Sequence, residues 1–276
     1  MTEARAGRQG AGFLAEAVGA SLGTVLGAVA GVRRGKAVHP DGVVYEGRLV
    51  VPGGRGAPPA AKLFSQPGDR RAVVRFSRSV GLPRPLPDLL GLSMRVVDAY
   101  GAGRHQDLLL VTSVDRPVLH HLFLPATDVQ QRPYSSSLPY RAGADTFLVG
   151  ALPRARSPRP PGRNEFDRLN AAASTGELAF DLAVAPVSGR FRPVAELRIG
   201  SRLPDELDAM RFNPMNTGGG MQLVGALNGA RDRAYRLSQA AWRRTRGDGA
   251  AAQDDADRRL EALALHSPGG SPRQGS

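Results

Sequence analysis

The sequence predicts an α+β protein, short antiparallel strands with helical segments before, between and after them. Two observations carry that reading. Runs of β-branched and apolar residues at 43–51, 72–77, 93–97, 108–112, 177–187 and 194–201 are separated by connections rich in glycine and proline, the pattern of strands joined by turns. Apolar residues at helical spacing mark 13–32, 164–173 and 222–245.

The first twelve residues read as disordered. Residues 13–32 are mostly Ala, Val, Leu and Gly, with Gly19, Gly23, Gly27 and Gly31 repeating every fourth position, so a helix there carries one face of small residues suited to close packing. Its length meets the ~20 residues of a bilayer span, but Glu16, Ser21 and Thr24 make it a poor one. No credible signal-peptide cleavage site follows. The expectation is a helix–helix contact with the domain or a partner, with peripheral membrane attachment as the second reading. The expected location is the cytoplasm, membrane-associated on that second reading, and oligomerisation is left open. Asn164 is placed to cap a helix carrying Phe166 and Leu169. Residues 153–162 form an Arg/Pro loop, and 222–245 a helix with Leu223, Ala226, Leu227, Ala230, Ala234, Leu237 and Trp242 on its apolar side. The organisation is an N-terminal segment 1–35, one main domain 36–245, and a polar tail 246–276.

Composition narrows the chemistry. With 276 residues and 41% hydrophobic content the chain can bury one sizeable core. It has no cysteine, which removes disulfides, thiolate-held metals, iron–sulfur clusters and Cys-ligated haem. A metal or haem must be held by His, Tyr, Met or carboxylates. The net charge of +12 comes from arginines spread along the chain, with Lys36 and Lys62 the only lysines. No basic patch interleaved with aromatics and no nucleic-acid-binding motif accompanies them, so nucleic acid is not an expected partner. Arginines also suit anionic groups such as phosphates or haem propionates. His105, His120, His121 and His266 have no partners at metal-ligand spacing and read as surface or core residues.

Four stretches in order resemble the haem catalases. They are Lys36-Ala37-Val38-His39 with Gly42 three residues on; Val74-Arg75-Phe76-Ser77; Asp88, Gly91, Ser93 and Arg95 followed by Asp107-Leu108; and Arg231-x-x-x-Tyr235. Phe212-Asn213-Pro214 and Gly225-Ala226-Leu227-Asn228 are similar to the small catalase-related peroxidase-like proteins rather than to the large enzymes. The likeness covers roughly 36–242. It implies an antiparallel barrel of about eight strands flanked by helices, haem b, and peroxide chemistry. It further implies Tyr235 as the proximal iron ligand, His39 as the distal acid–base group with Ser77 orienting it, and Arg75, Lys36 and Arg231 as cofactor-binding cations. Those roles make chemical sense. Arg231 and Tyr235, at i and i+4, share a helix face, and a guanidinium there favours the phenolate. A neutral imidazole can accept a proton from one peroxide oxygen and return it to the other.

Two departures stand out. Lys36 stands where the family has an arginine, which keeps the charge and loses the fork geometry. The family's asparagine beyond the Asp-Leu pair is replaced by Val111 or Thr112, and Thr112 should point to the opposite face of a regular strand. The resulting expectation is a peroxidase or hydroperoxide-processing enzyme, as in the related allene oxide synthases, with weak disproportionation of hydrogen peroxide. The alternatives are a barrel that binds haem or another ligand without turnover and, lower, a phosphodiester hydrolase recruited by the arginines.

Overall fold

In the computed structural model, residues 41–53 and 56–224 are described. The strands are β1 (Asp41–Val51), β2 (Gly68–Arg78), β3 (Leu90–Val96), β4 (Gln106–Thr112), β5 (Tyr134–Ser135), β6 (Tyr140–Ala142), β7 (Asp145–Pro153), β8 (Ala179–Ala185), β9 (Arg192–Arg202) and β10 (Met221–Leu223). The helices are α1 (Lys62–Ser65) and α2 (Glu165–Ala173). All pairings between these strands are antiparallel. Around the ring the order is β1-β2-β3-β4-β5-β7-β8-β9, and β9 returns to β1, closing an eight-stranded barrel. Strands β6 and β10 extend the sheet from β7.

Alternation along the strands decides what fills the barrel. Tyr45 from β1, Val74 and Phe76 from β2, Leu92 and Met94 from β3, Leu108 and Leu110 from β4 and Phe180 from β8 belong to one buried cluster. Phe76 meets Tyr45 edge-on, and lies beside Phe180 at 5.7 Å. Helix α2 contributes Phe166, Leu169 and Ala172 to the same core. Its start is set as expected: Asn164 accepts from the N–H groups of Phe166 and Asp167, both at 2.9 Å. Asn164→Ala is expected to cost about 1 kcal/mol, read as a lower urea midpoint at unchanged slope.

The α+β expectation needs correcting to mostly β. The described residues hold one α-helix of four residues and one of nine, besides two short 3-10 helices, so the ring and not a helical layer forms the bulk of them. The helix expected from Gln222 does not begin there: Met221–Leu223 pairs as a strand with Ala142–Tyr140, with buried Met221 in the main core. The remainder of that segment, the helix expected at 13–32 and the tail lie outside the described residues. Among the described residues no helix is long and apolar enough to cross a membrane.

Candidate functional site

The motif residues Arg75 and Ser77 lie on the ring's outer face. If Val74 and Phe76 point inward, Val73, Arg75 and Ser77 must point outward. Cross-strand register then aligns one row around the barrel: Gly42, Ser77, Gly91, Val111, Ser135 and Gly150, each opposite the next. This row is a strip with no long side chain. One step along lies Val44, Arg75, Ser93 and Leu109, and beyond that Val73, Arg95 and Asp107. Phe191 covers Gly150, where a Cβ would meet its ring at 2.6 Å.

A turn formed by 203–216 covers the far rows. Leu203, Leu207, Met210 and Phe212 pack on Val44, Val73, Val97 and Leu109. Two acidic anchors hold it. Asp208 accepts from the Val44 N–H and from Arg202. Asp107, fully buried, takes both forks of Arg95 at 2.8 Å and the Asn213 N–H at 2.8 Å. The Arg95 guanidinium lies over the Phe212 ring. The motif residues Arg95 and Asp107 thus clamp the cover onto the barrel. Asp88 has a similar structural task, accepting from the N–H groups of Val80, Gly81 and Leu82 beside Arg78.

Arg75 lies at the rim of the strip. Its Nε–H donates to the Asp208 carbonyl at 2.8 Å. Its guanidinium crosses Gly42: a Cβ there would sit 2.6 Å from Cζ and Nη2 and 2.8 Å from the Phe76 carbonyl. The glycine of the His-x-x-Gly motif is therefore the space through which Arg75 reaches the strip. Burial depresses the Arg75 pKa, and Asp208 and Asp41 oppose that shift.

Of the residues expected to form the site, Arg75 and Ser77 are on the same face of β2, with Ser77 buried between Gly42 and Gly91. Lys36, His39, Arg231 and Tyr235 lie outside the described residues. Asp41, two residues after His39, is held by Arg84 at 2.8 Å. The outward position expected to lack a donor is Val111, half-buried, and Thr112 does turn inward, where its Oγ1 accepts from the Leu90 N–H at 3.1 Å. Ser135, adjacent to Val111 on the strip, escaped sequence reasoning, because nothing in the run Tyr134-Ser135-Ser136-Ser137 says which serine faces outward.

Among the described residues no cluster of three His, Asp or Glu can hold a metal. The chain has five tyrosines, and four are occupied elsewhere. Tyr45 bonds Asn170, Tyr100 bonds Gln106 and Tyr134 bonds the Val129 carbonyl, while Tyr140 is buried against Phe147. Burial raises the hydroxyl pKa of Tyr45 and Tyr134, and pushes that of Tyr100 up to about 12. None of these three is suited to supply a phenolate at neutral pH.

No family model matches the chain, and no curated protein does. Solved structures do share the fold. A fungal catalase superposes with a TM-score of 0.50 at 11% identity, covering 73% of this chain and 58% of the catalase. A bacterial catalase gives 0.46 at 14% identity, covering 68% of this chain and 53% of the catalase. The chain thus spans little more than half the length of these catalases, and at such identities the likeness is one of fold.

Proposed function

We propose that this protein is a haem-dependent peroxidase of catalase fold that acts on organic hydroperoxides in preference to hydrogen peroxide. The observation that carries the reading is the outer strip of Gly and Ser with Arg75 brought to its rim through Gly42. A flat macrocycle needs a surface without projecting side chains, and an anionic propionate needs a cation at its edge. Both needs are met on the same face. Tyr235 is the proposed iron ligand on the strength of the Arg231-x-x-x-Tyr235 resemblance, the described tyrosines being engaged or buried, and an arginine four residues before it in sequence would favour its anion. Lys36 and Arg75 pair with the propionates.

Haem, when bound, supplies the redox iron at which the peroxide O–O bond is cleaved. The chain's own work is to move a proton. The His39 imidazole accepts it from one peroxide oxygen and returns it to the other, and Ser77 orients the ring. The net change is ROOH plus two electrons and two protons giving ROH and water, with the electrons drawn from an organic reductant.

The substrate preference rests on the strip and its rim. Val111 and Leu109 face outward without a hydrogen-bonding group, and Thr112 is turned away. The loops after β2 and β4, joined through Asp88 and Ala126, expose Leu82, Leu86, Val118, Leu119 and Leu122. An alkyl hydroperoxide gains about 0.8 kcal/mol per methylene buried on such a surface, and hydrogen peroxide gains nothing there. Protein expressed with a haem precursor should show a Soret band. It should consume cumene hydroperoxide with a reducing dye faster than it releases oxygen from hydrogen peroxide. Colourless protein after haem supplementation would sink the reading. Rapid oxygen release would sink the preference, and a Soret band without turnover would leave a haem binder.

A further inference from the structure

We infer that the Ser135 hydroxyl is the hydrogen-bond donor that positions the peroxide, in the role left open by Val111; this rests on the haem reading above. Ser135 is directly opposite Val111 in the β4–β5 pair, so the two side chains share the outer face about 5 Å apart. The other hydroxyls near this end of β4 are committed. Thr112 faces the core, and the Ser113 hydroxyl donates to the His120 carbonyl at 2.9 Å.

Ser135 is only 1% exposed, and its Oγ accepts from the Ser137 N–H at 3.2 Å. A serine hydroxyl carries one proton besides its acceptor sites. Accepting from Ser137 leaves that proton to donate, and it has no acceptor among the described residues. Burying a hydroxyl with its proton unspent is unfavourable unless a ligand takes it.

A second buried hydroxyl belongs to the same turn. The Ser137 Oγ has no partner among the described residues, on a residue that is 4% exposed and holds φ at 58°. Left-handed backbone at a non-glycine residue persists only when its surroundings enforce it. Here they do. The His121 Nδ1–H donates to the Ser137 carbonyl at 2.6 Å, and the Ser136 Oγ donates to the Leu138 carbonyl while accepting from the Val149 N–H. The turn is rigidly bonded through its backbone and keeps two buried hydroxyls with unused capacity. That arrangement suits a small ligand presenting an oxygen acceptor, as a hydroperoxide does.

The test uses full-length, haem-loaded protein and two readouts. The first is the affinity for fluoride, an acceptor-only ligand, followed by optical titration. The second is the KM and kcat for cumene hydroperoxide. Ser135→Ala should weaken fluoride binding about tenfold, the loss of one hydrogen bond to a charged acceptor, and raise KM at an unchanged Soret spectrum. Ser135→Thr should restore the affinity and Ser135→Val should not. Those two fill the same volume, so their comparison stands even where alanine loosens the turn. Equal fluoride affinity in the serine, threonine and valine proteins would overturn Ser135 as donor and leave the haem reading intact. Failure to bind haem in the unmodified protein would overturn both.

Discussion

Arg95→Ala is expected to lower stability by about 3–5 kcal/mol, the cost of removing one partner from a buried ion pair. The reason lies in Asp107, fully buried in the barrel wall, whose carboxylate is met by both forks of Arg95 and by the Asn213 N–H. Without the guanidinium a buried carboxylate remains in the wall with its charge uncompensated. Urea unfolding should show the fall in midpoint, and hydrogen exchange should quicken over 211–216, the turn that Arg95 also touches through the Arg211 carbonyl. Replacing both partners by apolar residues, Arg95→Met with Asp107→Leu, should recover much of the loss, because no charge is then stranded. A loss below about 1 kcal/mol in the single variant would mean that the pair is solvated and that something else holds the cover.

Tyr235→Phe is expected to abolish stable haem binding while leaving the barrel folded. Phenylalanine keeps the ring's bulk and removes only the oxygen proposed to bond iron. No described tyrosine can take over: the Tyr45 and Tyr134 hydroxyls are bonded inside the fold with raised pKa values, and Tyr140 is stacked on Phe147 in the core. Absorbance of the purified variant, normalised to protein, should show the Soret band gone, with unchanged far-ultraviolet circular dichroism. Haem retained at wild-type level with an unaltered spectrum would refute Tyr235 as the ligand.

Strands β1 to β4 and the β8–β9 pair were legible as short runs of β-branched and apolar residues between connections rich in glycine and proline. Closure was not. Strand β5 has two residues and β6 three, too short for any period to register. Strand β7 reads as a continuous apolar run that ends on Pro153, because Leu148 and Gly150 on its outer side are covered by Phe191 rather than by water. At Met221–Leu223 the apolar spacing fits either a helix or a strand, and pairing with β6 decides it. The site divides in the same way. Arg75 and Ser77 could be placed on one face from strand alternation alone. Asp107 and Arg95 were legible as motif residues, yet their ion pair and its hold on the 211–216 turn depend on two strands coming into register. Ser135 was hidden for a similar cause: its neighbour on the strip, Val111, is distant in sequence, and only the β4–β5 pairing brings them together.

The route by which the ring shuts has a consequence for how the chain is made. The hairpins of β1 to β4 are local, and can form as they leave the ribosome. The seam that closes the barrel joins β1 to β9, and the contact between Val44 and Arg202 bridges 158 positions of chain. Contacts of that reach carry a large loop-closure penalty and slow folding. Until residue 202 has been synthesised, the growing polypeptide is an open, curved sheet with two free edges and an uncovered apolar lining, the state most exposed to aggregation. The cover that carries Asp208 and Asn213 is translated later still. The face proposed to receive the cofactor is thus laid down early and roofed last.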